Sequence, residues 1–91
     1  MARYRILSWR GIPAQVKVFR EEGRPLSGAL SDRFQQEIDR IAMRDGLAGT
    51  DDYLAQWEWS ADLEQPGSPE DVLAAVLGEL EAGFESIREN G

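Results

Sequence analysis

Two short runs, Arg3–Trp9 (RYRILSW) and Ala14–Arg20 (AQVKVFR), flank Arg10-Gly11-Ile12-Pro13, and both are rich in β-branched and aromatic residues. Such runs around a Gly- and Pro-containing connection predict a β-hairpin. Side chains alternate across a strand. Tyr4, Ile6, Val16 and Val18 are therefore expected on one face, toward a core, with Arg5, Leu7, Trp9, Gln15, Lys17 and Phe19 on a half-solvated opposite face. The four-residue connection exceeds a two-residue turn and leaves the register open.

The rest of the chain must cover that hairpin. Glu21–Gly28 (EEGRPLSG) reads as a loop, and Ser31 as the N-cap of an amphipathic helix running to about Arg44, with Phe34, Ile38, Ile41 and Ala42 at helical spacing. Tyr53–Ala61 (YLAQWEWSA) alternates as a third strand, with a helix from Thr50 through Trp57 as the competing reading. After Asp62–Gly67, Ser68-Pro69-Glu70-Asp71 places Ser at an N-cap, Pro at the first helical position and acids behind it. Leu73, Val76, Leu77, Leu80, Phe84 and Ile87 form the apolar stripe of the helix that follows, with Glu79, Glu81, Glu85 and Glu89 on or beside its wet face. Gly78 and Gly83 inside it suggest close approach of a neighbour. The expected fold is α+β, one domain over 1–91, in the order β-β-α-β-α. An antiparallel three-stranded sheet would carry two helices packed on one face, since each helix has one apolar stripe to bury.

Composition narrows the chemistry. The chain has no cysteine and no histidine, which excludes thiol redox chemistry, thiolate or imidazole zinc sites and imidazole acid/base catalysis. No run approaches the roughly 20 apolar residues of a membrane span, and the first residues lack the apolar core of a secretory signal; a cytoplasmic protein is expected. The net charge of −7 is unevenly spread: residues 1–20 carry five cations and no acid, whereas residues 45–91 carry twelve acids against Arg88 alone. An acidic chain is disfavoured as a nucleic-acid binder. Its basic hairpin either attracts an acidic partner or lies against the protein's own acidic helix.

Arg3, Arg5, Trp9, Lys17, Trp57 and Trp59 are the candidate partner-binding residues, because Trp and Arg dominate the energetics of protein interfaces. The competing reading places Trp57 and Trp59 in the core, because a small domain gains from burying each large ring. No catalytic set, metal or cofactor is indicated. Glu58, between two tryptophans, is an acid/base candidate only if buried, in which case Tyr53, Trp57 and Trp59 would wall an aromatic pocket for a small molecule, enclosed by the chain or formed at a dimer interface. Asp51-Asp52 lacks the alternating oxygen ligands of a calcium loop.

The W-x-x-I-P-A-Q-V stretch from Trp9 to Val16, Arg33-Phe34-Gln35, Gly49-Thr50-Asp51-Asp52-Tyr53-Leu54, Trp57-Glu58-Trp59 and Gly67-Ser68-Pro69-Glu70-Asp71-Val72 together resemble the small bacterial domain family called virulence factor. The likeness covers nearly the whole chain. It implies similarity to a region of larger conserved virulence factor proteins that also carry HEAT-type helical repeats and a NifU-like segment, and it implies no catalytic residues. This chain has neither the repeats nor the cysteines, so the function expected of it is that of a non-catalytic interaction module acting on another cytoplasmic protein, one with HEAT-type repeats among the candidates. A homodimer is compatible with the sequence.

Overall fold

Arg10 and Gly11 reverse the chain by themselves, at φ 49° and 84°, between Trp9 and Ile12, which pair across the turn. Positive φ at both central positions matches the twist of the flanking strands, so the connection is two residues and Ile12 and Pro13 belong to the second strand. The computed structural model describes residues 1–90, and the side chains of Glu89 and Asn90 lie outside those described. Strand β1 spans Ala2–Trp9 and β2 spans Ile12–Val18. Their register runs Tyr4↔Val18, Arg5↔Lys17, Ile6↔Val16, Leu7↔Gln15 and then slips to Ser8↔Pro13 and Trp9↔Ile12. Ala14 is the extra residue, a bulge in β2. A bulge shifts the alternation of its strand by one, so Val16 and Val18 keep to the Tyr4 and Ile6 face while Ile12 crosses to the face of Arg5, Leu7 and Trp9.

The sheet has five strands in place of the expected three, in the order β3 (Leu26–Ala29), β2, β1, β4 (Trp57–Trp59), with β5 (Leu63–Gln65) also pairing β1. Strand β3, Leu26–Ala29, lies in the segment expected to be loop and pairs antiparallel with β2. Nothing in its polar, Gly-containing sequence alternates strongly, and the backbone ladder orders it. Gly28 is required there for space: a Cβ would stand 2.8 Å from Leu77 Cδ1 and 3.2 Å from Leu73 Cδ1.

The expected third strand divides. After α1, Asp32–Arg44, the Thr50 hydroxyl accepts the Tyr53 N–H at 3.2 Å and starts a short helix α2, Asp51–Ala55. The competing helix reading thus holds for the first half of the segment and the strand reading for β4, Trp57–Trp59. Strand β5, Leu63–Gln65, falls in an expected connector. β4 pairs with the Leu7–Trp9 end of β1 and β5 with its Ala2–Tyr4 end.

Helix α3, Pro69–Ala82, begins as its sequence dictates, with the Ser68 hydroxyl accepting the Asp71 N–H. Gly83 ends it at φ −87°, ψ 2°, and α4, Phe84–Asn90, follows; the single long helix of the sequence reading is two. Close approach does not account for Gly78, because nothing lies within 4 Å of where its Cβ would be. Gly78→Ala is accordingly expected to stabilise the protein by up to about 1 kcal/mol in urea or thermal unfolding, the difference in helix propensity. A destabilised Ala variant would contradict that open surroundings.

Val72 and Val76 of α3 bury against Ala2, Val16 and Val18, with Tyr4 and Ile6 alongside. Phe34, Ile38, Ile41 and Ala42 of α1 bury against Trp9, Ile12, Leu30 and Phe84, as their helical spacing predicts. The bulge separates the two groups along the hairpin: Trp9 and Ile12 at its turn end pack with α1, and Val16 and Val18 further along pack with α3. Leu77 and Leu80 touch both groups and join them. Ser31 stands at the N-cap of α1 without capping it; its N–H and hydroxyl instead donate to the Glu81 carboxylate at 2.7 and 2.8 Å, tying α1 to α3. No helix of the described residues is long and apolar enough to cross a membrane.

Candidate functional site

The face of the sheet carrying Arg5, Leu7 and Trp9 is covered only at the hairpin end. There Trp9 is 0% exposed, in place of the half-solvated position that alternation assigned to it. The alternation was right, but α1 and α2 fold over this end. The Trp9 indole N–H donates to the Tyr53 carbonyl at 2.8 Å, and its ring meets that of Tyr53 at 5.5 Å. Tyr53 in turn meets Trp57 edge-on at 6.2 Å. Trp57, opposite Trp9 in the register, is half-buried against the same core. Trp9 is thus a core side chain, held by burial that contributes roughly 1.5–3 kcal/mol for a large apolar group, and Trp57 is half-buried beside it.

Beyond Leu7 the same face is open. Arg5 and Lys17 are direct cross-strand partners, and Arg3 follows two residues along β1. Like charges directly opposite on a sheet repel, and each of these cations has a countering contact. The Lys17 ammonium stands 4.7 Å from the Trp59 ring centroid, and the Arg3 guanidinium 4.7 Å from that of Phe19. Arg5 Nε donates to Asp62 Oδ1 at 2.5 Å, while Arg3 Nε lies 3.8 Å from the other Asp62 oxygen. The Arg5 hydrogen bond, followed by the charges of Arg5 and Arg3, holds the Asp62 carboxyl below its ordinary value against the opposing effect of desolvation.

Trp59 is 37% exposed, Leu7 and Phe19 belong to neither buried group, and Ser27 and Ala29 on β3 are exposed. The structure therefore brings Arg3, Arg5, Lys17 and Trp59 together and separates Trp9 and Trp57 from them. Asp62 is a member the sequence did not suggest. It lies in a segment read as connector, and only the return of β5 to β1 carries it to the arginines.

Glu58 is exposed. Alternation places it across the strand from Trp57 and Trp59, and it borders a shallow hollow of about 320 Å³ with Ser8, Ser60 and the edge of Trp59. Tyr53 and Trp57 do not line that hollow, so the three-ring wall around a buried acid is not assembled. Among the described residues no group of three or more carboxylates is placed to hold a metal ion.

No curated protein and no solved structure matches the chain. One family model, described as virulence factor, matches residues 7–88, a span that takes in the Leu7–Trp9 end of β1, the turn and its bulge, β2 to β5 and α1 to α3. With nearly its whole length inside that match, the chain belongs to the virulence factor family.

Proposed function

We propose that this domain is a non-catalytic protein-interaction module that docks an acidic, extended segment of another protein on the open end of its sheet. The observation that carries this reading is the surface formed by Arg3, Arg5 and Lys17 interleaved with Leu7, Phe19 and Trp59. It is a cationic and aromatic face on a protein of net charge −7. Aromatic and arginine side chains are the usual anchors of protein interfaces, and ordered cations on a flat face attract the opposite charge. The acidic remainder of the protein disfavours nucleic acid and leaves the cationic face as the point of approach for an acidic chain.

The test is the association rate of a fluorescent nine-residue peptide of alternating glutamate and leucine. Rim charges act mainly on association and its salt dependence. Replacing Arg3, Arg5 and Lys17 together with Gln is expected to slow association about tenfold at low ionic strength and to flatten its response to salt, with the circular dichroism spectrum unchanged. An unchanged rate in the folded triple variant overturns the proposal. So does a concentration-dependent dimer of the native protein that the triple variant abolishes, since the face would then belong to a second copy.

A further inference from the structure

Asp62 occupies the place that a partner's carboxylate would take. Its side chain is 42% exposed, and it reaches both arginines from the short segment between β4 and β5. Among the described residues, Arg5 donates to a protein acceptor through Nε alone. The terminal amino groups of its planar fork, which bind carboxylates in paired hydrogen bonds, remain available. The segment carrying Asp62 is anchored without it: the Ile6 N–H donates to the Ser60 hydroxyl at 3.0 Å, and the Ser60 N–H donates to the Ile6 carbonyl at 2.8 Å. Losing the Asp62 contact would leave the β1 edge paired.

We propose that Asp62 is an internal stand-in for the partner, a tethered carboxylate that competes for Arg3 and Arg5 and is displaced when an acidic segment docks. This rests on the docking function proposed above and adds its regulation: the affinity of the face is set by the ease with which Asp62 gives up the arginines. Exposed ion pairs contribute little to stability and are readily exchanged, which suits a contact meant to be replaced. Because its carboxyl is held below the ordinary value, Asp62 stays charged wherever an ordinary partner glutamate is charged, so the competition persists across the pH range in which docking operates.

The test compares native protein, Asp62→Asn and the Arg3, Arg5, Lys17 triple Gln variant with the same glutamate and leucine peptide. Asp62→Asn keeps the shape of the side chain and removes its charge. It is expected to bind the peptide about three- to fivefold more tightly, the effect of one exposed ion pair. In the native protein, the Arg5 Nε–H resonance is expected to move on peptide addition, as the guanidinium exchanges Asp62 for the peptide. If Asp62→Asn binds no better while the triple variant loses binding, the stand-in role is wrong and the docking face stands. If the triple variant binds like the native protein, the docking face itself is wrong. An Arg5 resonance that stays in place as the peptide saturates also overturns displacement.

Discussion

Trp9→Ala is expected to remove about 3–5 kcal/mol of stability, the cost of truncating a fully buried aromatic side chain. For a small domain of roughly 5–15 kcal/mol, that is at least about a fifth of the total. The ring is 0% exposed and packs in one group with Phe34, Ile38 and Ile41, so its removal opens a cavity that elements on both sides cannot close together. The Tyr53 carbonyl also loses its 2.8 Å donor from the indole, leaving α2 less firmly fixed to the sheet. Urea unfolding measures the loss, and one below about 1 kcal/mol would place the ring outside the core. Trp59→Ala provides the contrast: with its ring 37% exposed over Lys17, it belongs to the open face.

What the residues reveal directly, and what they conceal, follows from how local each determinant is. Ser68-Pro69-Glu70-Asp71 starts α3 because capping is settled within one turn of chain, and Phe34, Ile38, Ile41 and Ala42 bury together because helical spacing alone aligns them. Arg5 and Lys17 could be assigned to one face by alternation, and they are register partners. Trp9 shows the limit: its parity is legible in β1, but its covering comes from α1 and α2, more than twenty residues away. The Ala14 bulge is set by pairing with β1, and β3 by its ladder to β2; both are relations between segments. Asp62 was concealed for the same reason. Its meeting with Arg3 and Arg5 depends on β5 returning to the far end of β1. In the aromatic segment, Thr50 and the acids behind it favour a helix while Trp57-Glu58-Trp59 favours a strand, and the chain satisfies both in turn.

Phe34→Ala is expected to cost about 3–5 kcal/mol, and its consequence reaches past its own cluster. Phe34 is 0% exposed and meets Phe84 edge-on at 4.9 Å, with Arg33 stacked 4.5 Å above the Phe84 ring and bound to Glu81. This contact is where α1 meets the α3–α4 junction, and Leu77 and Leu80 beside it touch both buried groups. The two buried groups are therefore coupled at one corner, and weakening it should weaken both. A double-mutant cycle of Phe34→Ala and Phe84→Ala should return a coupling of about 0.5–1.5 kcal/mol, that of an aromatic pair. Amide exchange in the Phe34→Ala protein provides the sharper test. Val16 and Val18, which pack under α3 in the other group, should lose protection in parallel with Ile38 and Ile41 of α1, because a single cooperative unit opens as a whole. Protection retained at Val16 and Val18 while α1 exchanges freely would mean that the leucine bridge does not couple the two groups, and that they unfold as separate units.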